Sequence, residues 1–228
     1  MAERSLSIAE KFLLVAHHPE RGRFMIPSTY LQYGLAGAIL LDLTISDRLE
    51  TDGTKLSLKR SRPTTDTLLQ EVTALMSQST VPRKSEYWIR KLGARYNKYL
   101  LQLLKGLAGK RLLRIEEKKF LGLIPYRKSY LLESYTHSNL IRQLRSEIIA
   151  YRGVPGENFP LALIVSSCRM QKILTTDRDE LKQIRAQLKL MAKEHPVSGA
   201  VAQTISQVQA AVIASITAAV VASTAGRH

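Results

Sequence analysis

A mainly helical fold with two short β-hairpins is what this sequence predicts, and three observations predict it. Apolar residues recur at helical spacing through most of the 228 residues. Two segments instead alternate around turn residues, the pattern of paired strands. Residues 197–226 hold no charge and are dominated by Ala and Val, the composition of a helix that others approach closely. Hydrophobic residues are 45% of the chain and charged ones 23%, enough to bury a core and to exclude wholesale disorder. The length allows one large domain or two small ones.

The elements follow in order. Residues 5–18 read as a first helix, with Ser7 as its cap and Ile8, Phe12, Leu13 and Val15 as its apolar stripe. Pro19-Glu20-Arg21-Gly22 is a turn. Ser28 is the candidate cap of a second helix carrying Leu31, Leu35, Ile39, Leu40 and Leu43. Gly34 and Gly37 inside it each cost about 1 kcal/mol relative to Ala, an expense that close packing against another helix offsets. Alternation around Thr51-Asp52-Gly53-Thr54 predicts a first hairpin. Helix, helix and hairpin together resemble a winged-helix unit. Asp66 or Thr64 starts a helix through Met76, and shorter helices cover residues 85–92 and 96–107. A second hairpin pairs residues 111–115 with 120–124. Its turn falls either at 116–119 or further on, near 121–126. Helices at 138–151, 159–174, 177–193 and 199–223 finish the chain.

The uncharged last helix is long enough to cross a bilayer, which takes about 20 residues. Gln203, Ser206, Gln207, Gln209, Ser215 and Thr217 are scattered through it, and Leu and Phe are missing. A central buried helix is the better reading. The first residues show no apolar signal-peptide core, so the cytoplasm is the expected compartment.

Catalytic and metal chemistry find no constellation. Cys168 is the single cysteine and sits in an apolar helical setting, a buried structural thiol. None of the five histidines has a partner at the i, i+4 spacing of a helical zinc pair. Gly106-Leu107-Ala108-Gly109-Lys110 has two residues between its glycines where a phosphate loop needs four, so it reads as a helix end with a glycine stop. No catalytic residue, metal site or cofactor is expected.

Charge is more informative. Thirty-four Lys and Arg against nineteen Asp and Glu leave a formal +15. Such an excess favours nucleic acid, anionic lipid or acidic protein, or simply keeps the chain soluble. The second hairpin contains Phe120, Leu121, Gly122, Leu123, Ile124, Pro125 and Tyr126. Lys118 and Lys119 precede this apolar stretch, and Arg127 and Lys128 follow it. An apolar tip between cations suits an interfacial anchor, each cation contributing about 1 kcal/mol near an anionic surface. The same side chains equally suit packing on the core or on a second subunit. Arg21 and Arg23, in the loop before the second helix, suit an anionic phosphate group. Lys55, Lys59, Arg60 and Arg62 form another basic run, a nucleic-acid wing or a solvated face. The second helix has no Lys or Arg, which argues against a groove-reading role and makes nucleic acid an unlikely partner.

These segments resemble the Golgi phosphoprotein three family. Residues 6–14, LSIAEKFLL, are similar to its opening helix. Residues 34–43, GLAGAILLDL, followed by Asp47-Arg48-Leu49, resemble its most typical stretch. Trp88-Ile89, Leu104-Lys105-Gly106-Leu107, Leu112-Leu113, residues 161–164 and the Ala/Val-rich end continue the likeness in order. The resemblance implies a single domain over residues 1–228, all-α with short hairpins and no enzymatic activity. It further implies a cytoplasmic protein, peripheral on membranes, binding phosphatidylinositol 4-phosphate or another acidic lipid. The family's hairpin, which inserts in the bilayer or pairs subunits in a homo-oligomer, maps onto Phe120, Leu121, Leu123, Ile124 and Tyr126. Its head-group pocket maps onto Pro27, Ala36, Asn97 and Leu100, where the family's Trp and arginines are not retained. Arg21, Arg23, Arg95 and Lys98 are the nearby candidate cations.

Overall fold

A computed structural model describes residues 5–52, 54–59, 64–120, 124–193 and 200–225. Helices dominate them, with two small antiparallel sheets.

Helix α1 (Ile8–Ala16) begins on a complete capping box. Ser7 Oγ accepts from the Glu10 amide, and Glu10 accepts from the Ser7 amide. Two further first-turn amides are satisfied from a distance. Asp42 on helix α2 (Ser28–Ile45) accepts from Ile8 N at 2.6 Å and from Ala9 N at 3.0 Å. Ser28 is not the cap of α2. It is the first helical residue, and Pro27 precedes it without a side-chain cap bond; proline's fixed φ sets up the helix start instead.

Twelve of the eighteen α2 residues are buried, so this helix is the hub of the core. The close packing expected at Gly34 is present. A Cβ there would lie 2.5 Å from both Cys168 Sγ and Phe12 Cζ. Gly37 gives Val212 the same approach, at 2.5 Å.

Strands β1 (Leu49–Thr51) and β2 (Lys55–Leu58) form the expected first hairpin, with Leu49 opposite Leu58. A third strand, β3 (Arg83–Lys84), joins β2. Two residues are too short to show periodicity, which is why the sequence reading missed it. The intervening helix α3 (Thr67–Ser77) is capped by Asp66, whose side chain accepts from Leu69 N at 2.9 Å. A buried α2 without basic residues cannot read a groove, so the winged-helix likeness ends at element order.

Helices α4 (Ser85–Gly93) and α5 (Tyr96–Gly109) follow. The expected glycine stop of α5 is a correction: Lys110 caps the helix, and Arg111 takes the left-handed backbone at φ 58°. Leu112 N then donates to Leu107 O and Arg111 N to Ala108 O, a Schellman closure. Asp47 (φ 53°) closes α2 the same way. Arg169 (φ 55°) does so for helix α7 (Phe159–Ser167). That closure splits the continuous helix expected over 159–174 into α7 and α8 (Gln171–Leu174).

Strands β4 (Leu113–Phe120) and β5 (Ile124–Leu131) are longer than expected, and Phe120 pairs with Ile124. Residues 116–119 are therefore strand, not turn. The register sets Glu117 opposite Arg127 and Glu116 opposite Lys128, and opposite charges across an antiparallel pair favour it. Helices α6 (Ser134–Ala150), α9 (Arg178–Lys193) and α10 (Ala200–Ala225) complete the described elements.

The central-helix reading of α10 holds up to Ile216. Ile205, Val208, Ala211, Val212 and Ile216 are buried against the body, with polar Thr204, Gln209 and Ser215 among them. From residue 217 on, the helix is exposed apart from half-buried Ala219. Residues Gln203–Ala225 are long and apolar enough to cross a membrane, with 33% of that window buried. Cys168 is buried, and burial pushes its thiol pKa up. It is the inert thiol expected.

Candidate functional site

The second hairpin leaves the body at a well-defined root. Leu113 and Ser129 are buried, while Ile115 and Leu131 lean on the core. Two residues further out, Glu117 and Arg127 are solvent-exposed and joined at 2.9 Å. At about 3.3 Å per residue, Ile124 stands about 17 Å beyond Ser129 along β5. Leu121 and Leu123 lie outside the described residues. For Phe120, Ile124 and Tyr126 the strand register is described: Phe120 faces Ile124 and Lys118 faces Tyr126. One of the expected flanking cations, Arg127, is partly neutralised by Glu117.

The first loop is seated on this root. His17 and Phe24 form an isolated bridge, His18 N donates to Arg23 O, and Met25 N donates to Ala16 O. Gly22 adopts φ 58° directly above Tyr130 of β5; a Cβ would lie 2.7 Å from the Tyr130 ring. Only glycine combines that backbone with that approach. Arg21 and Arg23 project from this loop and are exposed.

Beneath the loop, His17 is buried. Its Nδ1 lies 2.8 Å from His18 O and its Nε2 2.9 Å from Ser129 Oγ. A neutral ring with its proton on Nδ1 fits both bonds, donating to the carbonyl and accepting from the hydroxyl. Burial lowers its pKa from the ordinary imidazole value. His137 of α6 is buried beside it. Its pKa is lowered by burial first and then by the neighbouring His17.

Arg95 and Lys98 stand elsewhere, Arg95 at the N-cap position of α5 and Lys98 on its first turn, both exposed. Gln32 of α2 donates to Gly93 O just before them, at 3.0 Å. Lys98 Nζ is 2.7 Å from Glu71 Oε1 on α3, so a carboxylate already shares its charge. Arg95 lies beside the Tyr99 phenol. Ala36, at an implied pocket position, is buried in the core at 2% exposure and presents nothing to a ligand.

The sequence reading missed Ser134, His137 and Arg142, which α6 turns toward Pro19 of the first loop. Their spacing is visible in the sequence; the loop they face is not.

The described site is thus a helical body with an exposed, charged hairpin and a basic loop seated at its root. Among the described residues, no group of three or more His, Cys, Asp or Glu could hold a metal ion. No curated protein matches the chain. The profile of the Golgi phosphoprotein 3 (GPP34) family matches residues 8–208, and the chain belongs to that family. Its proteins are non-enzymatic adaptors that bind phosphatidylinositol 4-phosphate as cytosolic, peripheral Golgi membrane proteins.

Proposed function

We propose that this chain is a peripheral membrane protein that binds anionic phospholipid head groups from the cytoplasmic side, working as one unit over residues 1–228. The observation that carries the reading is the hairpin. Its strands leave the body at Ser129 and run toward an apolar tip of Phe120, Leu121, Leu123, Ile124 and Tyr126. Such a tip can enter the acyl boundary while neighbouring cations meet lipid phosphates. The formal +15 charge supplies long-range attraction to an anionic surface, and Arg21 and Arg23 sit on a loop seated on the hairpin root. Arg95 has no such seat, and Lys98 is shared with Glu71, so the first-loop arginines are the stronger head-group candidates. Recognition like that of phosphatidylinositol 4-phosphate in the family would have to come from these replacement residues.

Vesicle cosedimentation tests the reading. The protein is expected on vesicles containing anionic lipid and not on neutral ones, and Leu121→Asp with Leu123→Asp is expected to release it without changing its unfolding midpoint. Equal binding to neutral vesicles, or undiminished binding by the double variant, defeats the proposal. The same tip could instead pair two copies. In that case the double variant changes sedimentation in lipid-free buffer.

A further inference from the structure

After Glu180, helix α9 carries four cations and no acid: Lys182, Arg185, Lys189 and Lys193. They fall at i, i+3, i+7 and i+11. At 3.6 residues per turn this spacing gathers them within about 80° of one face, along a length of about 16 Å. All four are exposed. The inner face is already committed: Ile184, Leu188 and Met191 are buried, and α9 packs on α6, α7 and α8.

The stripe has no compensation of its own. None of the four cations makes an ion pair or a side-chain hydrogen bond among the described residues. The acids at the start of α9 stand off it. Asp177 accepts from Glu180 N at 2.7 Å, capping the helix. Glu180 lies 3.5 Å from Arg145 of α6. Asp179, three residues before Lys182, makes no ion pair with it. Lys182 with Arg185, Arg185 with Lys189, and Lys189 with Lys193 are like charges at i, i+3 or i, i+4, an arrangement that destabilises a helix. An anionic partner relieves that repulsion.

Charge alone would accept any polyanion, and three features select a protein helix. The committed inner face keeps α9 from entering a DNA major groove or laying an apolar side into a bilayer. Exposed Ala186 and Leu190 continue one edge of the stripe, Leu190 at 38% exposure. Beside a phosphate backbone or a head-group layer that edge has nothing apolar to meet; beside a packed helix it does. Finally, a second helix rises by the same 1.5 Å per residue, so carboxylates at i, i+3, i+7 and i+11 stay in register with all four cations. We propose that the outer face of α9 docks an acidic amphipathic helix of another protein, whose carboxylates meet Lys182, Arg185, Lys189 and Lys193 and whose apolar edge covers Leu190. This surface does not depend on the membrane reading.

Fluorescence anisotropy of the full chain with labelled, Ala-rich helical peptides of about 18 residues tests it. One peptide carries Glu at i, i+3, i+7 and i+11 with Leu along one edge; the other holds the same residues in scrambled order. The striped peptide is expected to bind, and the scrambled one about tenfold more weakly, as aligned pairs are lost. Lys182→Glu with Lys189→Glu is expected to weaken the striped peptide by at least about tenfold. These exposed changes set opposite charges beside Arg185 and Lys193, so the unfolding midpoint is not expected to fall. Arg90→Glu with Lys105→Glu makes the same change in net charge at exposed positions elsewhere and is expected to leave peptide binding unchanged. Failure of the striped peptide to bind, equal binding of the scrambled one, or indifference to the α9 variant overturns the proposal. So does an α9 variant that loses phosphatidylserine vesicles or duplex DNA more than the Arg90 and Lys105 variant does, since the stripe then faces lipid or nucleic acid.

Discussion

The α1–α2 seam and the β4–β5 hairpin use polar groups in opposite ways. In the seam, charge is buried and fully directed: Asp42 receives two backbone amides, and Ser7 and Glu10 receive the rest of the capping box. In the hairpin, charge is paired loosely at the surface, as in Arg127 with Glu117. The first arrangement fixes a geometry, because each donor costs free energy if it loses its acceptor. The second fixes little and stays available to an outside surface. Stability and binding should therefore separate on mutation.

Asp42 offers the sharpest test. Burial raises its pKa to about 6, against an ordinary value of 3.8. The native state thus takes up a proton that the unfolded chain does not bind until lower pH. This contribution is complete below about 3.8 and is lost as pH rises through about 6, at about 1.4 kcal/mol per pH unit. His17 and His137, with lowered values, act with the opposite sign as pH falls, so the comparison needs a variant. Asp42→Ala leaves two amides without acceptors. It is expected to cost about 2–4 kcal/mol at pH 5 and less at pH 7, read from urea midpoints. A difference that does not grow toward pH 5 contradicts the assignment.

Gly34→Ala is expected to cost about 1–3 kcal/mol, since Phe12 and Cys168 must yield to the new methyl. Thermal unfolding measures it, and an unchanged midpoint would show that the seam is looser than described. Glu117→Ala should change stability by less than about 1 kcal/mol. It should tighten binding to anionic vesicles by freeing Arg127. A large loss of stability there would erase the contrast between the two regions.

What the sequence disclosed was local chemistry. Ser7 and Asp66 cap as their types suggest, Asp52-Gly53 marks the first hairpin, and Gly34 marks a close crossing. Signals failed where a distant residue decides. Asp42 caps α1 from 33 residues away, and nothing near Ile8 announces it. Arg111 and Arg169 take a backbone that composition reserves for glycine, because the Schellman bonds and the packing after them hold it. The second hairpin's turn was ambiguous because charged residues 116–119 resemble a loop until Arg127 and Lys128 stand opposite. Of the candidate site, the second hairpin and the exposure of Arg21 and Arg23 were legible, while the approach of the first loop to α6 depends on tertiary folding.

Gly22 resting on Tyr130 has a mechanical consequence. With His17 bonded to Ser129 on the same strand, the loop and the base of the β-arm are clamped at two points. A change in the angle of the arm at its root would move Tyr130 and Ser129 against the loop that carries Pro19, Arg21 and Arg23.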